Sequence, residues 1–149
     1  MRIVLLPRKG NEMKVKLLKG AFAPSRAHER DAGIDLRAMR GQRIMPHSSA
    51  VFDTGVCIEL PPNTCGEIWS RSGLHINHDI TTTGLIDENY RGEIRVKLTN
   101  HGADSYLVAA GDKIAQLKVT PVIYEPLEFV EELDMNTDRG EDGFGSTGR

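Results

Sequence analysis

An all-β fold, a sandwich or jelly roll, is what this sequence predicts, and three observations carry that expectation. Short stretches of alternating apolar and polar residues recur at intervals of about ten residues. No segment keeps a 3.6-residue apolar period for three turns. The run Ile80-Thr81-Thr82-Thr83 is β-branched and unsuited to a helix.

Taken in order, Met13 opens an alternating run to Leu18 that reads as a first strand. Val56, Ile58 and Leu60 alternate with Cys57 and Glu59. Pro61-Pro62-Asn63 then turns the chain, and Thr64 to Trp69 reads as the return strand of that hairpin. Glu93 to Thr99 alternates strictly and stops at Asn100-His101-Gly102. Lys113 to Val119 and Ile123 to Glu131 read as further strands. No linker and no internal repeat interrupts the series. Residues 13–133 are therefore expected to form one β domain, residues 1–12 an extension or the result of a misplaced start, and residues 134–149 a separate C-terminal tail. Four of the nine residues from Gly140 to Gly148 are glycine, a composition that cannot pack a core and predicts mobility.

The chain has 149 residues, enough for one domain that needs no staples. Hydrophobic residues make up 39% and charged residues 27%, the balance of a globular chain rather than a disordered one. The net charge of −2 argues against a general nucleic-acid binder, though a few arginines in a cleft suffice for a small anion. Cys57 and Cys65 form no C-x-x-C pair and are expected to be reduced strand residues, so the cytoplasm is the expected compartment. No apolar run approaches transmembrane length, and no membrane association is expected.

Five stretches are too rich in glycine and charge for a plain scaffold. They are Ala32-Gly33-Ile34-Asp35-Leu36; Ser70-Arg71-Ser72-Gly73-Leu74; Gly84 to Glu93; Ala110 to Leu117; and Arg139 to Gly148. Arg71 offers a planar fork of donors for phosphate oxygens, Ser72 a hydroxyl, and Gly73 a close backbone approach. Arg139, followed by glycines with Ser146 and Thr147, is suited to cradling phosphate through backbone N–H groups. No G-x-x-x-x-G-K-[ST] occurs, so this is no Walker A loop. Phe144 in so polar a run needs a flat partner, and a nucleobase stacked on it contributes about 1–3 kcal/mol. Each stretch by itself also reads as a turn, a strand end or a frayed terminus.

In this order the five stretches resemble the five motifs of the homotrimeric dUTPases, from about Lys14 to Gly148. The most specific pair is Gly84-Leu85-Ile86-Asp87-x-x-Tyr90-Arg91-Gly92-Glu93 with Arg139-Gly140-x-x-Gly143-Phe144-Gly145-Ser146-Thr147-Gly148. The resemblance implies a dUTPase-like jelly roll, closed as a homotrimer, with sites between subunits capped by a C-terminal lid. It implies hydrolysis of dUTP to dUMP and diphosphate, which keeps uracil out of DNA and supplies dUMP for dTMP synthesis. Asp87 is then the general base that activates water. Arg71, Ser72, Gly73 and Gln116 contact phosphate. Gly84, Ile86 and Tyr90 belong to the hairpin that holds deoxyuridine, Tyr90 excluding a ribose 2′-hydroxyl. Arg139, Gly145, Ser146 and Thr147 clasp the far phosphates, and Phe144 covers the base. Mg²⁺ is implied on the triphosphate, with Asp35 touching it through water.

The sequence departs from that pattern in places. Ser70 stands where proline is usual, Lys113 where arginine is common, and Asp142 where glycine is usual. His75 to Thr83 is a few residues short. A dCTP deaminase, or a bifunctional deaminase-dUTPase, is the alternative of the same fold, but that branch carries Arg-Ser-Ser-x-x-Arg, and here Gly73 and Ile76 intervene. A nucleotide-gated regulatory binding protein is the alternative of another class. His75-x-x-His78-Asp79 lacks a third well-spaced metal ligand.

Overall fold

The computed structural model describes Gly10 and residues 12–143. Its elements are β1 (Lys14–Leu17), β2 (Ile34–Arg37), β3 (Gln42–Ile44), β4 (Ser48–Glu59), β5 (Thr64–Trp69), α1 (Ser72–His78), β6 (Ile80–Thr81), β7 (Thr83–Ile86), β8 (Glu93–Asn100), β9 (Tyr106–Val108) and β10 (Lys113–Pro121). They form two four-stranded sheets, β1-β4-β8-β6 and β2-β10-β5-β7, and a β3-β9 ribbon. Every pairing is antiparallel. The all-β expectation holds.

Alternation decides which side chains enter the core. In β8, Ile94, Val96 and Leu98 are buried while Arg95 and Lys97 face out. Phe52, Val56 and Ile58 of β4 join them, and the second sheet contributes Leu36, Ile68, Ile114 and Leu117, all to one apolar cluster. β4 bends midway, where Gly55 has φ +67° and the register with β8 shifts between Asp53 and Cys57. Only glycine suits that bulge, since a Cβ would also run into Ala21 and Met39. The Glu93 carboxylate and the Thr54 hydroxyl satisfy the disturbed backbone: Gly55 N donates to Glu93 Oε1 at 2.7 Å, and Thr54 Oγ1 donates to Ile94 O at 2.6 Å.

The structure corrects two expectations. Thr64–Trp69 is a strand, but it does not return along β4. Pro61-Pro62-Asn63 carries the chain into the second sheet, where β5 pairs with β10 and β7. Ile123–Glu131 is not a strand. β10 already has β2 and β5 on its two sides, so this segment finds no edge there. Its alternation is real, yet Ile123, Leu127 and Phe129 are 81%, 81% and 94% exposed. Among the described residues nothing covers these side chains.

One element was not foreseen. Ser72–His78 forms a two-turn helix, capped by Asp79 in the left-handed region at φ 54°. The Asp79 N–H donates to His75 O at 3.1 Å, and β6 starts on the next residue. This single-residue turn accounts for how the short His75–Thr83 segment still delivers β6 and β7 to their sheets.

Candidate active site

The charged motifs sit at opposite ends of one ladder. β5 and β7 pair from Trp69 opposite Thr83 to Gly66 opposite Ile86. Beyond Trp69 come Ser70, Arg71 and α1. Beyond Ile86 come Asp87 and its turn.

The first end is a cation cluster around a buried carboxylate. Asp35 in β2 is 8% exposed. Its Oδ1 pairs with Arg71 Nε at 3.3 Å and its Oδ2 with Lys113 Nζ at 2.7 Å. Arg71 Nη1 also donates to Lys113 O at 3.3 Å, and Arg37 Nη1 to Gly111 O at 2.7 Å. Arg37, Arg71 and Lys113 line a cleft of about 450 Å³ together with Gly73. Strand period places Asp35 and Arg37 on one face, so Arg37 was legible as a site residue and was missed. Lys113 keeps the cationic role of the arginine it replaces.

The backbone adds donors. The first helical bond of α1 is His75 N to Arg71 O at 3.0 Å, which leaves the N–H groups of Ser72, Gly73 and Leu74 without helical partners. Ser72 and Gly73 are exposed. A Cβ on Gly73 would meet nothing within 4 Å, so packing within the chain does not demand glycine there. A glycine in open space also leaves room for another group to approach the backbone closely. Free N–H groups beside guanidinium and ammonium groups suit a phosphate chain.

Ser70, the departure from proline, has a defined task. Its hydroxyl donates to Thr82 O at 3.0 Å and accepts from Thr82 N at 2.9 Å. The side chain thus adds one rung to the β5–β7 ladder. Gln116 Nε2 donates to Ser70 O at 3.0 Å, so the amide steadies this strand end rather than standing free.

At the other end, β7 is an edge strand among the described residues, and no described strand pairs with the backbone donors and acceptors on its outer side. Gly84 is exposed. Ile86 is 7% exposed and its side chain belongs to the core, so only its backbone remains for a ligand. Asp87 is exposed, and among the described residues no donor bonds its carboxylate. Tyr90 N donates to Asp87 O at 3.1 Å, closing a turn. The Tyr90 hydroxyl donates to Glu93 O at 2.9 Å, and its ring lies so close to Gly92 that any Cβ there would collide. Asp87 and Leu85 open on a cleft of about 640 Å³, within the usual size of a small-molecule site.

Continuing the register, Cys65 stands opposite Asp87, and Arg71 lies six residues farther along. At about 3.3 Å per residue the two are ~20 Å apart. Arg139 bonds within its own turn, Nε to Asp142 O at 2.7 Å, with Asp142 N donating back to Arg139 O at 3.0 Å. Asp142 therefore serves this turn through its backbone. Phe144, Gly145, Ser146 and Thr147 lie outside the described residues. Among the described residues no group of three or more His, Cys, Asp or Glu side chains is placed to hold a metal ion.

The dUTPase family model matches residues 19–148. The chain belongs to the dUTPase family. It is 49% identical over 136 residues to the deoxyuridine 5′-triphosphate nucleotidohydrolase of Gloeothece citriformis, covering 89% of this chain and 93% of that protein. A mutant dUTPase of Staphylococcus bacteriophage 80alpha, solved with dUpNHpp, superposes with a TM-score of 0.86 at 30% identity. The match covers 93% of this chain and 99% of the phage one. A mutant dUTPase of S. aureus phage phi11, solved for its coordination of a structural Mg(II) ion, superposes at 0.76 with 27% identity over 83% and 99%. Family membership accounts for all five motifs at once, where each had a bland reading of its own.

Proposed function

We propose that this dUTPase-family chain hydrolyses dUTP to dUMP and diphosphate, with Asp87 as general base, in a site shared between subunits of a homotrimer. One observation carries the assignment of the base. The Asp87 carboxylate is exposed beside a cleft and free of donors among the described residues, as a group that must accept a proton from water requires. The edge of β7 from Gly84 to Ile86 then reads uracil through its backbone, and Tyr90, pinned through its hydroxyl, packs on the sugar. Arg71, Ser72, Gly73 and Lys113 receive the phosphates and offset the charge that builds on the leaving diphosphate. Arg139, Phe144, Gly145, Ser146 and Thr147 close over the nucleotide as a lid and exclude bulk water.

The ~20 Å between Arg71 and Asp87 is the reason for the trimer. A base that works through one water must stand within a few ångström of the attacked phosphorus, whose neighbouring phosphates belong in the arginine cleft. One chain does not bring the two together, which supports a site that takes them from two copies. The exposed apolar segment Ile123–Phe129 gives the copies a surface to share.

The side chains do not fit a resident Mg²⁺. Asp35, the carboxylate expected to face the ion's waters, has each oxygen engaged by a cation. We assign Mg²⁺ to the substrate, Mg·dUTP, and give Asp35 the task of orienting Arg71 and Lys113. Pyrophosphate release measured with dUTP, dCTP, dTTP and UTP, each with and without Mg²⁺, tests the reading. Release confined to dUTP and abolished in Asp87→Asn is expected; ammonia release from dCTP, or an active Asp87→Asn protein, would overturn it.

A further inference from the structure

The turn that carries Asp87 is exposed, and its own bonds are few. Besides Tyr90 N to Asp87 O, Arg91 Nη1 donates to Glu88 O at 2.8 Å and to Tyr90 O at 3.1 Å. The Tyr90 hydroxyl reaches Glu93 O at the start of β8, and the Glu88 side chain ties the turn to two more distant parts of the fold. Its Oε2 accepts the backbone N–H of Asn63 at 3.0 Å and the hydroxyl of Tyr124 at 2.6 Å. Asn63 follows Pro61 and Pro62, has φ 59°, and accepts Val122 N at 2.9 Å on its carbonyl. Glu88, Asn63, Val122 and Tyr124 thus close a ring. It joins the Asp87 turn, the crossover between sheets and the root of the C-terminal arm. Asp87 and Tyr124 line the same cleft.

We infer that Glu88 and Tyr124 are positioning residues for the reaction, holding the Asp87 turn on the root of the arm that leads to Arg139. The inference rests on Asp87 being the base. Charge-assisted bonds of this kind are short and directional, and the 2.6 Å contact is one. The Glu88 carboxylate also pushes the Tyr124 phenol above its ordinary value, first through that hydrogen bond. Neither side chain needs to touch nucleotide for this task. Their loss leaves Asp87 intact but less often in register with its water, which lowers kcat and spares KM.

The test uses the full-length chain and pyrophosphate release from Mg·dUTP, with melting temperature read at one fixed protein concentration. Tyr124→Phe and Glu88→Ala should each lower kcat about three- to tenfold, with KM held within about twofold. The double variant should be no slower than Glu88→Ala alone, because both members serve one bond. Glu88→Gln should keep near-normal kcat, since its amide oxygen accepts both bonds. Tyr124→Phe removes only one hydroxyl from a largely exposed ring, so it carries the test if Glu88→Ala does not fold. Unchanged kcat in Tyr124→Phe would overturn the inference. So would additive losses in the double variant, or a raised KM with intact kcat, which would mark Tyr124 as a direct nucleotide contact. An active Asp87→Asn protein would remove the base assignment itself, a failure separable from these.

Discussion

Two dead variants should restore each other's activity. Arg71→Ala removes the proposed phosphate fork at one end of the β5–β7 ladder, and Asp87→Asn removes the proposed base at the other, ~20 Å away. If each site takes its arginine from one subunit and its aspartate from another, a mixed trimer holds sites with both wild-type residues. In any trimer that holds both variants, one of the three sites pairs an intact Arg71 with an intact Asp87, so about one third of sites are complete. Co-expression with two different affinity tags, followed by sequential capture of mixed trimers, supplies the sample. Each parent alone should fall at least about a hundredfold below wild type, the scale of losing a base or a charge-stabilising donor. The mixture should then recover tens of per cent of wild-type turnover. If mixed trimers are confirmed by mass and still show no more activity than their parents, both residues act from one subunit, and the shared-site argument fails.

Further outcomes follow from the same geometry. Asp35→Asn removes the shared partner of Arg71 and Lys113 from a nearly buried position; the pairs are part-exposed, so the loss should be about 2 kcal/mol and ~4–8 °C in melting temperature at fixed concentration. Its kcat/KM should fall about tenfold and should not return at high Mg²⁺, whereas full rescue by Mg²⁺ would restore the metal role to Asp35. Gly73→Ala places a methyl in open space on α1 and should keep or raise stability by up to about 1 kcal/mol while KM for dUTP rises severalfold; unchanged KM would show that no ligand approaches there. Truncation after Asp138 should leave a folded protein with much-reduced kcat/KM, measured against full length, and a near-normal value would refute the lid. Deleting residues 1–12 should leave activity unaltered, and loss of folding on deletion would defeat their reading as an extension.

Much of the scaffold was legible because its signal is local. The strict alternation of Glu93 to Thr99 survives as β8, with Ile94, Val96 and Leu98 buried. The hairpin expected around Pro61-Pro62-Asn63 failed because a turn signal says that the chain turns, not which sheet receives it. The helix α1 escaped notice because seven residues with Leu74 as the only buried side chain carry no apolar stripe. Ile123–Glu131 shows a subtler limit. Its alternation reports side chains that need burial, and says nothing about which chain supplies the surface.

Asp35 and Asp87 show where sequence stops for the site. Both follow an isoleucine at a strand, both fall in glycine-bearing motifs, and both read as carboxylates near a triphosphate. Their hydrogen-bond surroundings separate them. Asp35 is buried with each oxygen held by a cation, so its charge is already committed to fixing Arg71 and Lys113. Asp87 stands past the end of its strand, exposed, with its turn tied down through Glu88 rather than through its own carboxylate. A carboxylate held like Asp35 organises other charges, and one held like Asp87 is left available to a water. If Asp87 is the base, anchoring it through Glu88 gives rigidity without occupying the oxygens that the chemistry needs, and the residue after the aspartate should then bear on the rate as well as the aspartate itself.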